Sequence, residues 1–179
     1  MGTGKTNVGK EIARRRKWQF LDLDDLIEMK ERKVIADIFA RNGEPYFRRR
    51  EKEALKEAAR QDNFVVACGG GVVIDPENIE IMRKSGILIC LTAKPEVILK
   101  RTSGYGHRPL LNVKDPRRQI GLLLKLRHPY YALADKTIDT SKLSVKQVAD
   151  KILRLSFKSK GSASGTKARN TGRKLRSKR

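Results

Sequence analysis

Short apolar runs alternate with longer segments of helical periodicity along most of this chain. The runs at residues 19–22, 64–68, 87–92 and 136–139 have the length of buried strands. Helical spacing of apolar positions fills the intervals between them. This alternation predicts an α/β fold with a parallel sheet and no internal repeat.

Capping residues, glycine and proline mark where the predicted helices begin and end. Helices are predicted over residues 6–17, 35–41 and 44–60. The second of these ends at Asn42-Gly43, since glycine is favoured just past a helix C-terminus. Asp75-Pro76 opens a further helix, and Ser144–Gln147 is a capping box for a last one that reaches about Leu155.

The chain has 179 residues and a mass of 20.3 kDa, which corresponds to one ordinary domain. Its apolar runs are far shorter than the ~20 residues of a membrane-spanning helix, so we expect no membrane association. The start has no secretory signal pattern, and the two cysteines lie inside apolar runs, where they are typical of small buried residues. We therefore expect a cytoplasmic location.

The net charge of +21 is unevenly distributed, with +12 in residues 1–156 and +9 in the short segment after them. Residues 157–179 contain nine Lys or Arg, no acidic residue and few apolar ones, so a disordered basic tail after a folded domain of residues 1–156 is predicted. A tail without interleaved aromatic residues would give nucleic acid only salt-sensitive, sequence-independent binding. One hypothesis for the function is therefore a nucleic-acid-binding protein that has lost catalysis and binds through this tail; the other, developed below, is an enzyme.

A partial phosphate-binding motif stands at the amino terminus. Gly2–Thr6 matches the end of the pattern G-x-x-x-x-G-K-S/T, in which Lys5 would reach the phosphates and the Thr6 hydroxyl would bind Mg²⁺. The first glycine of the pattern would stand two residues before Met1. A flexible terminal turn is therefore the competing interpretation, and the helix that follows favours the phosphate loop.

Carboxylates follow the first predicted strand. Asp22 and Asp24 are expected on the same side of the chain by strand alternation, at the edge where open α/β sheets bind ligands. One would hold Mg²⁺ through water, and the other would accept a proton from a substrate hydroxyl. The alternative is that Asp24 or Asp25 caps the next helix.

Arginine and glycine clusters supply further candidates. Residues 48–50 are three successive arginines that cannot all face one site, so we expect one of them to bind a ligand carboxylate. Arg127 is a second candidate for that contact, and residues 69–71 are glycines that would let backbone approach a ligand. A lid is predicted at about residues 103–115, with Arg108 closing on an anion; a surface loop is its alternative.

These motifs, taken in order, resemble the shikimate kinase family over residues 1 to about 155. The matching segments are Gly-Lys-Thr at 4–6, Asp-x-Asp at 22–24, Phe-Arg-Arg at 47–49, Gly-Gly-Gly at 69–71, Arg-Pro-Leu at 108–110 and Arg-x-Pro-Tyr at 127–130. The resemblance implies ATP-dependent phosphorylation of the 3-hydroxyl of shikimate, on the route to chorismate and the aromatic amino acids. A related small phosphate-loop kinase, such as one acting on gluconate, is the alternative within the enzyme class.

The resemblance also implies roles for individual residues in nucleotide binding. Lys5 and Thr6 would contact the ATP phosphates and Mg²⁺, and Asp22 would support the hydration shell of the metal. Other nucleotide contacts would come from Gly2, Gly4, Arg101, Thr140 and Ser141.

The resemblance implies roles in substrate binding and catalysis for a second set of residues. Asp24 would hold the shikimate hydroxyls and act as the base, while Arg48 and Arg127 would bind the carboxylate. Lys5 and Arg108 would stabilise the transferring phosphate. Backbone contacts to the substrate would come from Gly69, Gly70 and Gly71.

The family fold implied is a three-layer sandwich of the phosphate-loop kinase type, a monomer with five parallel strands in the order 2-3-1-4-5. A chain beginning at Met1 would lack the central first strand, so two strand edges would be open. We expect Met1 to be an internal methionine taken as the start, or the chain to be a fragment. On that expectation, ATP binding and stability of the chain as given would be weak.

Overall fold

The computed structural model describes residues 2–102 and 113–158. Its strands are β1 (Gln19–Asp22), β2 (Phe64–Ala67), β3 (Ile89–Thr92) and β4 (Lys136–Asp139). Its helices are α1 (Lys5–Arg16), α2 (Leu23–Glu31), α3 (Ile35–Ala58), α4 (Pro76–Ser85), α5 (Pro95–Thr102), α6 (Pro116–Tyr131) and α7 (Val145–Lys158). A short 3₁₀ turn covers Val72–Ile74.

All four predicted strands are confirmed, two of them with bounds one or two residues shorter. β1 pairs in parallel with β2, and Gln19 lies opposite Phe64. β3 pairs in parallel with β4, and Ile89 lies opposite Lys136. Helices connect each parallel pair, so the predicted α/β class is confirmed.

The strands form two separate two-stranded sheets, and within the described residues β2 and β3 do not pair with each other. A groove of about 770 Å³ lies between them, and Val65 and Ala67 of β2 and Ile89 and Leu91 of β3 line it. The open edges expected from the sequence are therefore present on β2 and β3.

Helices cover both faces of the strands. On one face, a core of α2, α3 and α4 packs against Leu21 and Val66. On the other, α1 and α7 pack against Val65, Ile89 and Leu91, so they contact both two-stranded sheets. Val65 and Val66 serve opposite cores because successive strand side chains point to opposite faces. The result is the three-layer arrangement expected.

The break predicted between two helices at Asn42-Gly43 is confirmed. The two helical segments follow each other directly in α3, and Gly43 between them has φ of 77° and ψ of 170°, which are not helical, so the chain is kinked there. Pro129 lies inside α6, two residues before the helix ends at Tyr131. Proline removes a backbone hydrogen bond, and its ring crowds the carbonyl four residues earlier, so its position near the end of α6 confines the disturbance to the last turns.

The predicted caps are present. Asp75 accepts a hydrogen bond from the Glu77 amide at 2.9 Å. Ser144 and Gln147 bond reciprocally, with the Ser144 amide 2.9 Å from Gln147 Oε1 and the Gln147 amide 3.3 Å from Ser144 Oγ. None of the helices within residues 2–102 and 113–158 has the length and apolar character needed to cross a membrane.

Candidate active site

The carboxyl ends of three of the four strands carry predicted functional residues. β1 ends at Asp22, β2 leads into the glycines of residues 69–71, and β4 leads into Thr140. α1 begins at Lys5 beside them. Parallel strands bring their carboxyl ends to one edge, which is where α/β sheets bind ligands.

The amino-terminal loop has backbone geometry that requires glycine. Gly2 has φ of +61° and Gly4 has φ of +89°, in the left-handed region. Gly4 also caps α1, whose first turn contains no acidic side chain. The first-turn amides, which have no partner within the helix, and the positive end of the helix dipole favour a bound anion at this position.

Thr3 ties the loop to the end of β4. Its carbonyl oxygen lies 3.1 Å from Thr140 Oγ1, which is also 3.1 Å from the Thr92 carbonyl oxygen. Thr3 is 5% exposed, and its own hydroxyl has no hydrogen-bond partner among the described residues. A buried hydroxyl without a partner is costly, so it is suited to contact a polar ligand group.

Thr6 and Asp22, the two residues predicted to hold Mg²⁺, are hydrogen-bonded to each other. Thr6 Oγ1 donates to Asp22 Oδ2 at 2.9 Å. The other carboxylate oxygen of Asp22 accepts from the Asp24 amide at 3.2 Å and caps α2. Capping therefore falls to Asp22, and the alternative that Asp24 or Asp25 is the cap was wrong.

Asp24 lies in the first turn of α2, so the strand alternation used to place it was wrong. Helix geometry nevertheless keeps it beside Asp22. Burial raises the pKa of the Asp24 carboxyl above its usual value, the charge of Asp22 raises it further, and Lys5 opposes both effects. A carboxylate that binds protons more readily than usual is suited to act as a general base.

Arg48 is hydrogen-bonded to the buried carboxylate of Glu51, and Arg127 interacts with that carboxylate electrostatically. Arg48 Nη1 donates to Glu51 Oε2 at 2.7 Å, and Arg48 Nη2 donates to Glu44 Oε1 at 2.7 Å. Glu51 is 1% exposed, and it interacts electrostatically with Arg127, which is 8% exposed. Burial opposes the charge of Arg48, but Glu51 and Glu44 raise its pKa above the ordinary value.

Sequence reasoning missed Glu51. A signal was available, because Glu51 stands one helical turn from both Phe47 and Leu55 on the buried face of α3. An acidic residue on an apolar stripe needs a charged partner, and Arg48 is three residues away. Arg50 faces elsewhere, pairing with Glu53 and with a carboxylate of α2, as expected for three successive arginines.

The glycines after β2 contact these charged groups closely. A Cβ on Gly69 would lie 3.0 Å from Glu51 Oε1 and 3.2 Å from Asp24 Oδ1. A Cβ on Gly71 would lie 2.5 Å from Arg48 Nη1. These positions are therefore held by glycine because carboxylate and guanidinium groups occupy the adjacent space.

Tyr131 is a second residue that sequence reasoning missed. Its hydroxyl donates to the Gly70 carbonyl oxygen at 3.0 Å. Burial raises the pKa of Tyr131 above its usual value, so its hydroxyl stays protonated near neutral pH. The sequence offered only the tyrosines at the end of α6 as a signal, without showing which one reaches the loop.

The predicted adenine-side residues lie together. Arg101 Nη1 donates to Thr140 Oγ1 and Arg101 Nη2 to the Thr140 carbonyl oxygen, each at 3.0 Å. Ser141 Oγ accepts from the Lys94 amide at 2.9 Å. The predicted lid arginine, Arg108, lies outside the described residues.

Comparison with known proteins gives one family. The family model described as shikimate kinase matches residues 1–156. A shikimate kinase of Caldanaerobacter subterraneus subsp. tengcongensis is 47% identical over 161 residues, covering 90% of this chain and 94% of that protein. One of Thermoanaerobacter pseudethanolicus is 47% identical over 154 residues, covering 86% of this chain and 90% of that protein.

Solved structures agree with the sequence comparison. Shikimate kinase from Acinetobacter baumannii in complex with shikimate has a TM-score of 0.86 at 38% identity, covering 89% of this chain and 90% of that one. Shikimate kinase from Aquifex aeolicus has a TM-score of 0.77 at 31% identity, covering 89% of this chain and 93% of that one.

Proposed function

Because this chain belongs to the shikimate kinase family, we propose that it transfers the γ-phosphoryl group of ATP to the 3-hydroxyl of shikimate. It is a phosphotransferase with an alcohol acceptor, acting in aromatic amino acid biosynthesis. The observation that carries the residue roles is the convergence of Asp24, Arg48 and Glu51 on the glycines that follow β2. The proposed base, one of the two proposed carboxylate-binding arginines and the glycine backbone thus meet at one edge.

On the substrate side, Arg48 and Arg127 hold the shikimate carboxylate. Guanidinium supplies two parallel donors that match a carboxylate. Glu51 accepts a hydrogen bond from Arg48 at 2.7 Å and so orients its guanidinium, and it also interacts electrostatically with Arg127. The backbone of Gly69, Gly70 and Gly71 completes the site.

On the nucleotide side, the residues present fit phosphate and metal binding. Two left-handed glycines, a helix N-terminus and the unpartnered hydroxyl of Thr3 line the anion position. Lys5 would contact phosphate, and Thr6 with Asp22 would hold Mg²⁺. When bound, Mg²⁺ neutralises phosphate charge during transfer. Arg101, Thr140 and Ser141 would line the adenine side.

The proposed reaction uses Asp24 as general base. Asp24 accepts the proton of the 3-hydroxyl as its oxygen forms a bond to the γ-phosphorus, and the bond from that phosphorus to the bridging oxygen breaks to release ADP. Lys5 stabilises the charge that develops on the phosphoryl oxygens. Arg108 is proposed to add to this stabilisation from the lid.

The arginines together with the glycine loop argue for shikimate over gluconate. The arginines alone do not, because both substrates carry a carboxylate. The added discrimination comes from the glycines, since Gly69 lies close to Asp24 and Glu51 and Gly71 lies close to Arg48. We further propose a monomer whose catalytic domain is residues 1–156, with the basic tail of residues 157–179 outside it.

A coupled ADP-release assay tests this function. We expect turnover with ATP and shikimate, and little or none when gluconate replaces shikimate at equal concentration. Asp24→Asn is the negative control because it keeps the shape of the side chain and removes the base. Equal turnover of gluconate, or shikimate turnover unaffected by Asp24→Asn, contradicts the assignment.

A further inference from the structure

One hydrogen bond joins the glycine loop to helix α6, 61 residues away along the chain. The half-buried Tyr131 donates from its hydroxyl to the Gly70 carbonyl oxygen at 3.0 Å. The same helix carries Arg127 one turn earlier, on the same side as Tyr131. A single turn of α6 therefore carries the carboxylate clamp and the anchor of the loop.

The anchor matters because glycine backbone has few intrinsic restraints. Three successive glycines can adopt many φ and ψ values, and ordering them costs more entropy than ordering other residues. The peptide unit is planar, so fixing the Gly70 carbonyl towards Tyr131 directs the Gly71 amide to the opposite side. Within the described residues, two further backbone hydrogen bonds restrain the loop: the Val72 amide donates to the Gly69 carbonyl oxygen at 3.3 Å, and the Ile74 amide donates to the Gly71 carbonyl oxygen at 3.1 Å. Both are local, and neither joins the loop to α6.

We propose that Tyr131 is a positioning residue for shikimate: its hydrogen bond to Gly70 holds the glycine loop in register with Arg127 and Arg48. This inference rests on the proposed function. The loop contacts Arg48 from its other side, since a Cβ on Gly71 would overlap the Arg48 guanidinium. Loop, clamp and α6 thus form one connected unit.

Substrate binding after Tyr131→Phe tests the proposal. The change removes one hydroxyl and keeps the ring. We expect the Kd and KM for shikimate to rise about fivefold, as for loss of one neutral hydrogen bond, while the KM for ATP is unchanged and kcat falls less than twofold. Tyr130→Phe is the matched control, because Tyr130 is the adjacent residue and is 36% exposed. It should leave shikimate binding unchanged.

A purely structural role predicts a different pattern. Thermal unfolding would shift in Tyr131→Phe without selective loss of shikimate affinity, or the KM values for ATP and shikimate would rise together. Either result overturns the proposal, as does an unchanged Kd for shikimate by calorimetry.

A second readout separates this proposal from the proposed function. The amide NMR shifts of Gly70 and Gly71 report loop conformation without any ligand. We expect both to move in Tyr131→Phe and neither to move in Tyr130→Phe. If the unaltered protein does not bind shikimate, the proposed function fails; if the glycine shifts also stay in place, the anchoring role fails too.

Discussion

Gly71→Ala should weaken shikimate binding strongly although alanine fits the local backbone. Gly71 has φ of −96° and ψ of −13°, which alanine adopts without strain. The added Cβ would lie 2.5 Å, 2.6 Å and 2.7 Å from Nη1, Nη2 and Cζ of Arg48. The guanidinium must therefore move, and the direction of the effect depends on what holds it.

The Arg48 guanidinium is at the flexible end of a long side chain, so moving it away from the added Cβ costs little steric energy by itself. Glu51 makes it costly, because moving the guanidinium breaks the 2.7 Å bond to a carboxylate that is 1% exposed. Loss of a charged hydrogen bond costs about 1.5–3 kcal/mol, against a gain of about 0.4–1 kcal/mol from Gly→Ala. Net destabilisation of about 1–2 kcal/mol would lower the Tm by roughly 2–8 °C.

Shikimate affinity should fall more than stability does. The displaced guanidinium no longer offers two parallel donors to the substrate carboxylate, so we expect an increase in Kd of about ten- to a hundredfold. Calorimetry with shikimate and thermal unfolding measure the two effects. Gly121→Ala is the matched control, because a Cβ at Gly121 would meet nothing within 4 Å. Unchanged shikimate affinity in Gly71→Ala would refute the reasoning.

Three further predictions follow from the site and the groove. Asp24→Asn should lower kcat about 10²- to 10⁴-fold, because it removes the base. It should not lower the Tm: the pKa of Asp24 is raised in the folded protein, so ionisation of this carboxyl destabilises the fold once the pH exceeds the ordinary pKa of an aspartate. A loss of kcat smaller than tenfold assigns the base elsewhere. The acid limb of kcat/KM should lie above the ordinary carboxyl range and disappear in this variant. Arg48→Lys should raise the KM for shikimate about tenfold and leave that for ATP unchanged, whereas the outward-facing Arg50→Lys should change neither. An apolar strand of about ten residues added before Met1 should raise the Tm and tighten ATP binding, because it can pair with the open edges of β2 and β3. A polar segment of equal length is the control. Equal Tm and ATP affinity in the two extended proteins would exclude that pairing.

The sequence by itself determined the elements and most of the site. Strand bounds and the caps at Asp75 and Ser144 were predictable because they depend on residues next to one another in the chain. The order of motifs identified the family, and the resemblance assigned Asp24, Arg48 and the glycines to one substrate site. Strand alternation was the wrong reason for the position of Asp24, since a helix begins at Leu23.

Only the tertiary structure decided which side chains hold these groups in place. The electrostatic interaction of Glu51 on α3 with Arg127 on α6, and the bond from Tyr131 to Gly70, connect residues on different elements. The same holds for the separation of β2 from β3 and the volume of the groove between them. The preference of a segment for strand, helix or cap depends on residues close together in the chain. Contacts between different elements depend on how distant segments pack, and the spacing of residues along the chain does not specify that packing.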